Sequence, residues 1–279
     1  PMGELHGKHL VTIEGLNMEH LSAVQNAMVD CGGTQCGYCT PGFVVCMTAG
    51  LMAPQVPLNE EGVLYAISGN LCRCTGYQSI KDAGFQAIQS LRDQLINKER
   101  IKALVEAKAL PTYFLGIAER LKAIEPDEIL EMGLQHRGRT IVAGGTDLYV
   151  QRGEQLAESS ITLLNNESEI SPAIASEGRV IIDARMTFEA FATDPLIKTH
   201  LQEIYDYNLL MASWPIRTRS TIGGNLCNAS PIADMTCLLL ALECSLTLTS
   251  PDGHRRELPL NEFYPVSYTH LTLPTSYPV

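Results

Sequence analysis

Apolar positions recur at helical spacing through the first third of the chain and alternate with polar ones through much of the second half. Leu21, Val24, Ala27 and Met28 fall on one face of a helix. Pro41 predicts the opening of a second helix, because its missing N–H costs nothing in a first turn. Asn59 can cap a third, carrying Val63, Leu64 and Ile67, and a fourth runs from about Ser79 through Ala83, Ala87, Ile88 and Leu91. Residues 17–95 are therefore expected to form four helices, packed as a small antiparallel bundle.

A charged helical stretch, NKERIKALVEAK, follows and ends at Pro111, so residues 96–110 read as a linker. Beyond it, RTIVAGG and RVIIDAR are strand-like, longer amphipathic stretches intervene, and SLTLTSPDGHRRELPL reads as a hairpin turning at Pro251–Gly253. Residues 111–264 thus look α+β. At the start, LHGKHLVTIEGL reads as a strand in progress, so residues 1–16 are expected to be the end of an earlier domain or a linker. At the other end, residues 265–279 are rich in Thr, Pro and Ser and resemble a translated sequencing-adapter remnant, set aside from fold reasoning.

Composition changes this picture little and excludes some partners. The 279 residues are 45% hydrophobic and 18% charged, the make-up of an ordinary globular protein. With 20 basic against 31 acidic residues, the net charge of −11 argues against a nucleic-acid partner, which would need clustered Lys and Arg. Gly42–Ala53, the longest apolar stretch near the cysteines, is too short to span a bilayer, so no membrane partner is expected. Six of the nine cysteines fall between Cys31 and Cys74, clustering for a site rather than a dispersed disulfide framework. The cytoplasm is the expected home.

Cys36 and Cys39 stand in QCGYCTPG, and Cys72 and Cys74 in GNLCRCTGY, both on expected helix-connecting turns. Two short pairs on glycine-flanked turns allow four thiolates to converge on one [2Fe–2S] cluster without distorting a helix. Zinc is the rival, although a zinc ribbon more usually shows two CxxC knuckles. Buried free thiols are a third reading.

Two glycine-rich loops of the second half invite a pyrophosphate. IVAGGTDLYV runs from a strand into Gly144, Gly145, Thr146 and Asp147. STIGGNLCNASPIAD places Asn225, Asn228, Ser230 and Asp234 after Gly223 and Gly224, and both loops are expected to follow strands. Such turns present consecutive N–H groups to phosphate oxygens. No GxGxxG is present, so a Rossmann NAD site is unsupported.

QCGYCTPGF followed by SGNLCRCTGY resembles the helical [2Fe–2S] domain of the xanthine dehydrogenase and molybdenum hydroxylase family. IVAGGTDL and TIGGNLCNASPIAD are similar to that family's FAD domain, and the likeness runs from about Leu10 to Tyr264. It implies an all-α four-helix [2Fe–2S] bundle followed by an incomplete α+β FAD-binding domain of the PCMH type, as in the small subunit of bacterial xanthine dehydrogenases. Cys36, Cys39, Cys72 and Cys74 would ligate the cluster, and Gln35 would hydrogen-bond the pterin of a molybdenum cofactor held by a partner large subunit. Ile141, Val142, Ala143, Gly144, Gly145, Thr146, Asp147 and Leu148 would wrap the FAD pyrophosphate. Ala212, Thr221, Gly224, Asn228 and Asp234 match further flavin contacts.

The resemblance further implies electron relay in a heteromeric assembly, from a purine oxidised at molybdenum through [2Fe–2S] clusters and FAD to NAD⁺. No residue of this chain would act as general acid or base. It also implies a ferredoxin-like domain upstream and further flavin contacts downstream, so the chain is expected to be a fragment inactive alone. A related enzyme acting on an aldehyde, an N-heterocycle, CO or an aromatic-CoA substrate is the alternative. A zinc-stabilised interaction module is the alternative of another class.

The remaining cysteines read as structural: Cys31 as a nearby thiol, Cys46, Cys237 and Cys244 as core, and Cys227 as a small packing residue. Arg217 and Arg219 read as solvated surface.

Overall fold

The computed structural model describes residues 8–124, 140–164, 170–250 and 252–264. The chain divides into two compact units, Pro1–Met132 and Gly133–Val279.

The first unit is helical, with α1 (Ala23–Asp30), α2 (Thr40–Met52), α3 (Glu60–Ile67), α4 (Gln78–Leu95), α5 (Arg100–Glu106) and α6 (Ile117–Lys122). A capping box starts α1: the Ser22 side chain accepts the N–H of Gln25 while the Gln25 side chain accepts that of Ser22. Leu21 therefore lies outside the helix and is 49% exposed, where the periodicity had placed it on the apolar face. Asn59 caps α3 by accepting the Gly62 N–H at 3.0 Å, and Pro41 sits in the first turn of α2. Val24, Met28, Phe43, Met47, Val63, Ile80, Ala87 and Leu91 meet in one core.

That core is not closed by four helices alone. Within 96–110, expected as a linker, α5 buries Ala103 and Leu104, and Leu110 and Phe114 follow them into the same core. Arg100 secures the docking, because its guanidinium donates to the carbonyls of Leu51, Ala53 and Val56 at 3.3, 3.1 and 3.0 Å. Leu51 and Ala53 belong to the end of α2, where carbonyls lack helical partners. At the start of the described chain, residues 8–12 form no strand and Ile13–Leu16 is a 3₁₀ turn, so the expected strand is not present there.

The second unit is mixed. Strand β1 (Thr140–Val142) pairs in parallel with β2 (Ile161–Leu163), Thr140 opposite Ile161, and α7 (Leu148–Gln151) and α8 (Gly153–Ala157) lie on the crossover that a parallel pair requires. Strands β3 (Ile174–Ser176) and β4 (Arg179–Ile181) pair antiparallel, as do β5 (Ser245–Thr249) and β6 (Arg255–Pro259), the expected hairpin. Pro251 of its turn lies outside the described residues.

Among the described residues six more α-helices follow β4: α9 (Phe188–Thr193), α10 (Pro195–His200), α11 (Ile204–Leu209), α12 (Trp214–Arg217), α13 (Ile222–Asn228) and α14 (Asp234–Ala241). Phe191, Ile197, Ile204, Met235, Leu239 and Leu260 fill their common core. Residues 265–279, read as foreign, lie outside the described residues.

Candidate cofactor sites

The turns at the ends of the first unit's helices place the four cysteines. Cys39 is the residue preceding α2, Cys36 stands three residues earlier, and Cys72 and Cys74 occupy the connection from α3 to α4. Gly37, between the first two, has φ +84°, a left-handed conformation that a side chain would strain. All four line one concavity of about 400 Å³ together with Tyr38, Leu71, Arg73 and Tyr77.

The thiols meet in pairs, Cys36 with Cys74 and Cys39 with Cys72. Cys36 is held below the usual thiol range by the Tyr38 N–H and the Cys74 thiol, and Cys74 is pushed up because it donates to Cys36. Burial, then donation to Cys72, raises Cys39. Cys72 falls to about 7 because the Thr75 hydroxyl and N–H both approach its sulfur.

Among the described residues no three His, Cys, Asp or Glu side chains converge closely enough to hold a single metal ion. A tetrathiolate zinc needs every sulfur at about 2.3 Å from one centre. A [2Fe–2S] cluster instead takes two thiolates at each of two irons. The two pairs around one concavity fit the cluster better than they fit zinc.

Two residues of this turn carry no signal in the motif reading. Thr75 Oγ1 lies 3.1 Å and its N–H nitrogen 3.5 Å from Cys72 Sγ, and the Tyr77 hydroxyl accepts the Cys72 N–H at 3.0 Å. Spacing contained the clue, since a hydroxyl three residues past a cysteine can reach back to it on a tight turn. Gln35 is exposed beside Cys36. Cys31 is separate from the quartet, its Sγ donating to Gln86 Oε1 at 3.1 Å.

In the second unit β1 delivers Ile141 and Val142, and the chain then turns through Ala143–Asp147 into α7. This turn is fastened to the segment before α13. The Arg219 guanidinium donates to the Gly144 carbonyl at 3.1 Å, and the Thr146 and Ser220 hydroxyls are 3.1 Å apart. Asn228 Nδ2 donates to Asp147 Oδ2, also at 3.1 Å. Gly144 packs so closely on the backbone of Arg219 that a Cβ would collide with its carbonyl oxygen.

The second glycine pair does not follow a strand as expected. Gly223 and Gly224 lie within α13, entered from a single bridge between Thr187 and Thr221, and Thr221 caps the helix by accepting the Gly224 N–H at 3.1 Å. Local glycine content suggested a loop, but the cap and the Gly223 N–H bond to Ala184 fix a helix. The structure thus joins Gly144, Thr146 and Asp147 to Arg219, Ser220 and Asn228, with Thr221 and Gly224 on the same segment. The Ala212 carbonyl accepts from the Arg217 guanidinium, and Asp234 opens α14, which Thr236 ties to Asn225 of α13. Main-chain N–H groups, two hydroxyls, an amide and Arg219 form a donor set that suits a pyrophosphate.

Several assignments to core or surface change: Cys46 is only half-buried, and Arg219, expected in solvent, is part-buried on the Gly144 carbonyl. Arg217, expected in solvent, is 2% exposed and paired with Glu189. Cys237, expected in the core, is exposed on α14, and Cys244 is only half-buried.

Paired thiols in a helical unit and a glycine-turn cradle in a mixed unit define an iron–sulfur and flavin electron-transfer protein. Residues 12–84 match the [2Fe-2S] binding domain family, and residues 119–275, more than half of the chain, match the FAD binding domain in molybdopterin dehydrogenase. The chain belongs to the molybdenum hydroxylase family. It is 27% identical over 318 residues to the xanthine dehydrogenase/oxidase of Mus musculus, covering 95% of this chain and 24% of that protein. It is 25% identical over 321 residues to aldehyde oxidase 1 of Macaca fascicularis, covering 94% and 24%. Among solved structures, the reconstituted CO dehydrogenase from Oligotropha carboxidovorans is 26% identical with a TM-score of 0.42, covering 47% of this chain and 46% of that one. The chain spans about a quarter of the length of the curated relatives it matches. No helix among the described residues is long and apolar enough to cross a membrane.

Proposed function

We propose that this chain, the [2Fe–2S] and FAD part of a molybdenum hydroxylase, relays electrons from a molybdenum cofactor on a partner large subunit to NAD⁺, in a xanthine dehydrogenase of the cytoplasm. The observation that carries the reading is the meeting of Cys36, Cys39, Cys72 and Cys74 in two pairs around one concavity, upstream of a flavin-type cradle in the same chain.

A bound cluster passes single electrons, and a bound flavin converts them to hydride transfer. The chain's own residues set where these groups sit. The two turns supply four thiolates and fix their spacing, with Gln35 beside them for the pterin. Ile141, Val142, Ala143, Gly144, Gly145, Thr146, Asp147 and Leu148, with Thr221, Gly224 and Asn228, hold the flavin diphosphate, chiefly through main-chain N–H groups, while Ala212 and Asp234 contribute further contacts. A purine substrate is favoured by the relatives named xanthine dehydrogenase. The aldehyde oxidase relative, of nearly equal identity over the same share of its length, supports an aldehyde as the second reading.

Anaerobic purification tests the reading through iron, sulfide and flavin content and EPR of the reduced protein. Two irons per chain and a signal that appears on reduction are expected. A colourless, EPR-silent protein holding stoichiometric zinc would overturn it. Co-purification with a molybdenum-cofactor-binding chain, followed by turnover assays on purines and aldehydes, separates the two substrates.

A further inference from the structure

The six residues from Cys72 to Tyr77 close on themselves through four hydrogen bonds. The Cys72 N–H donates to the Tyr77 hydroxyl at 3.0 Å, and the Tyr77 N–H donates to Thr75 Oγ1 at 3.2 Å. The Thr75 N–H approaches Cys72 Sγ at 3.5 Å, and Thr75 Oγ1 lies 3.1 Å from the same sulfur. Tyr77 holds a left-handed φ of +69°, which a non-glycine residue adopts at a cost, and its ring packs edge-on against Phe43, a side chain with no exposed surface. The turn is thus anchored to the core at its far end.

Iron ligation decides which atom donates in the Thr75–Cys72 contact, where either could. A hydroxyl carries one proton and two lone pairs, and one lone pair of Thr75 Oγ1 is already used by the Tyr77 N–H. A sulfur bound to iron is a thiolate with no proton to give. The hydroxyl proton must therefore point at Cys72 Sγ, beside the amide proton of the same residue. Among the described residues, Cys72 is the one cysteine of the quartet whose sulfur meets a side-chain hydroxyl.

We propose that Thr75 is a positioning residue for electron transfer: its two donors withdraw charge from the Cys72 sulfur and raise the reduction potential of the cluster that this sulfur ligates. The inference rests on the cluster reading above. Donors at a ligand sulfur stabilise the more negative, reduced state, so removing one lowers the midpoint. Tyr77 contributes by holding the turn, since its N–H fixes the rotamer of the Thr75 hydroxyl.

The test compares the whole wild-type chain with Thr75→Val, which keeps the branched shape and loses the hydroxyl, and Thr75→Ser, which keeps the hydroxyl. Each is loaded with iron anaerobically, its iron content measured, and its midpoint read by EPR-monitored redox titration. ENDOR in H₂O and D₂O reads the exchangeable proton near the reduced cluster.

T75V is expected to hold two irons at a lower midpoint and to lose one exchangeable-proton coupling, whereas T75S keeps both at wild-type values. If T75V loads no iron, a T75S that loads fully at the wild-type midpoint still assigns the role to the hydroxyl. A loaded T75V with unchanged midpoint and coupling overturns the proposal, as does a T75S that shifts or fails to load like T75V. A wild-type chain that takes up no cluster overturns the site assignment along with it, and iron content tells that failure from the others.

Discussion

Arg217 Nε lies 3.1 Å from Glu189 Oε2 inside the second unit, with only 2% of the arginine side chain and 14% of the glutamate side chain exposed. The same guanidinium donates to the carbonyls of Met211 and Ala212 at 3.0 and 3.2 Å, and the same carboxylate oxygen accepts from Asn208 Nδ2 at 3.2 Å. Ala212 is held at φ +43°, so this pair fixes a strained segment next to a proposed flavin contact.

Removing one partner should therefore cost more than an exposed ion pair would. Glu189→Ala leaves a desolvated guanidinium facing no carboxylate at that point, and a loss of about 3–5 kcal/mol is expected. Urea unfolding reads it, and flavin content should fall in parallel. A wild-type unfolding midpoint in E189A would show that the pair carries no stability.

The ligand assignment separates cysteines that composition alone treats alike. Cys72→Ser should abolish or badly weaken iron uptake, because a cluster needs all four thiolates. Cys46, half-buried within α2, should tolerate serine at the cost of packing only. Iron per chain checks both, and equal iron in C72S and C46S would contradict the quartet.

What the sequence made legible was local. Asn59 marks a helix start through a bond reaching three residues along the chain, and the cysteine spacing needed only two turns, whereas the Ser22 cap that leaves Leu21 outside α1 was missed. Arg217 and Arg100 escaped for the opposite reason. In any local window each is a cation among polar neighbours, and its environment is fixed by groups remote in sequence: Glu189 is 28 residues from Arg217, and the α2 carbonyls are 47 and 49 residues from Arg100. The charged stretch around α5 looked like a linker because its apolar face is narrow; only docking shows that Ala103, Leu104 and Leu110 are enough to bury it. At the cysteine site the quartet was legible from its spacing; Thr75 was passed over because a turn hydroxyl three residues past a cysteine bonds the backbone as readily as the sulfur.

Thiol reactivity in the iron-free chain should follow the environments of the cysteines. The Thr75 hydroxyl and N–H bring Cys72 down to about 7, whereas burial and donation to Cys72 raise Cys39. A lowered pKa means that the reactive thiolate of Cys72 is scarce at pH 6, half-formed near 7 and nearly complete by about pH 8, below the range where an ordinary thiol ionises. Cys39 should still be gaining reactivity above pH 9. Iodoacetamide labelling read by peptide mass spectrometry checks the order, and Cys39 reacting before Cys72 would count against it.

Gly144 offers the sharpest test of the flavin cradle, because its backbone touches that of Arg219 where a Cβ would meet the carbonyl oxygen. Main-chain atoms cannot swing aside like a side-chain tip, so Gly144→Ala must separate the turn after β1 from the segment before α13. That would stretch the Arg219–Gly144 and Thr146–Ser220 bonds together. A destabilisation of about 1–3 kcal/mol is expected from the forced shift, and flavin retention should drop further than stability alone explains. Gly153 is the control: it has open space at its Cβ position and an ordinary φ, so Gly153→Ala at the start of α8 should be neutral or slightly stabilising. Flavin content after gel filtration, set beside the urea midpoint of each variant, distinguishes a damaged cradle from a merely loosened fold. If G144A keeps its flavin as well as G153A does, the close approach of the two segments has no part in binding it.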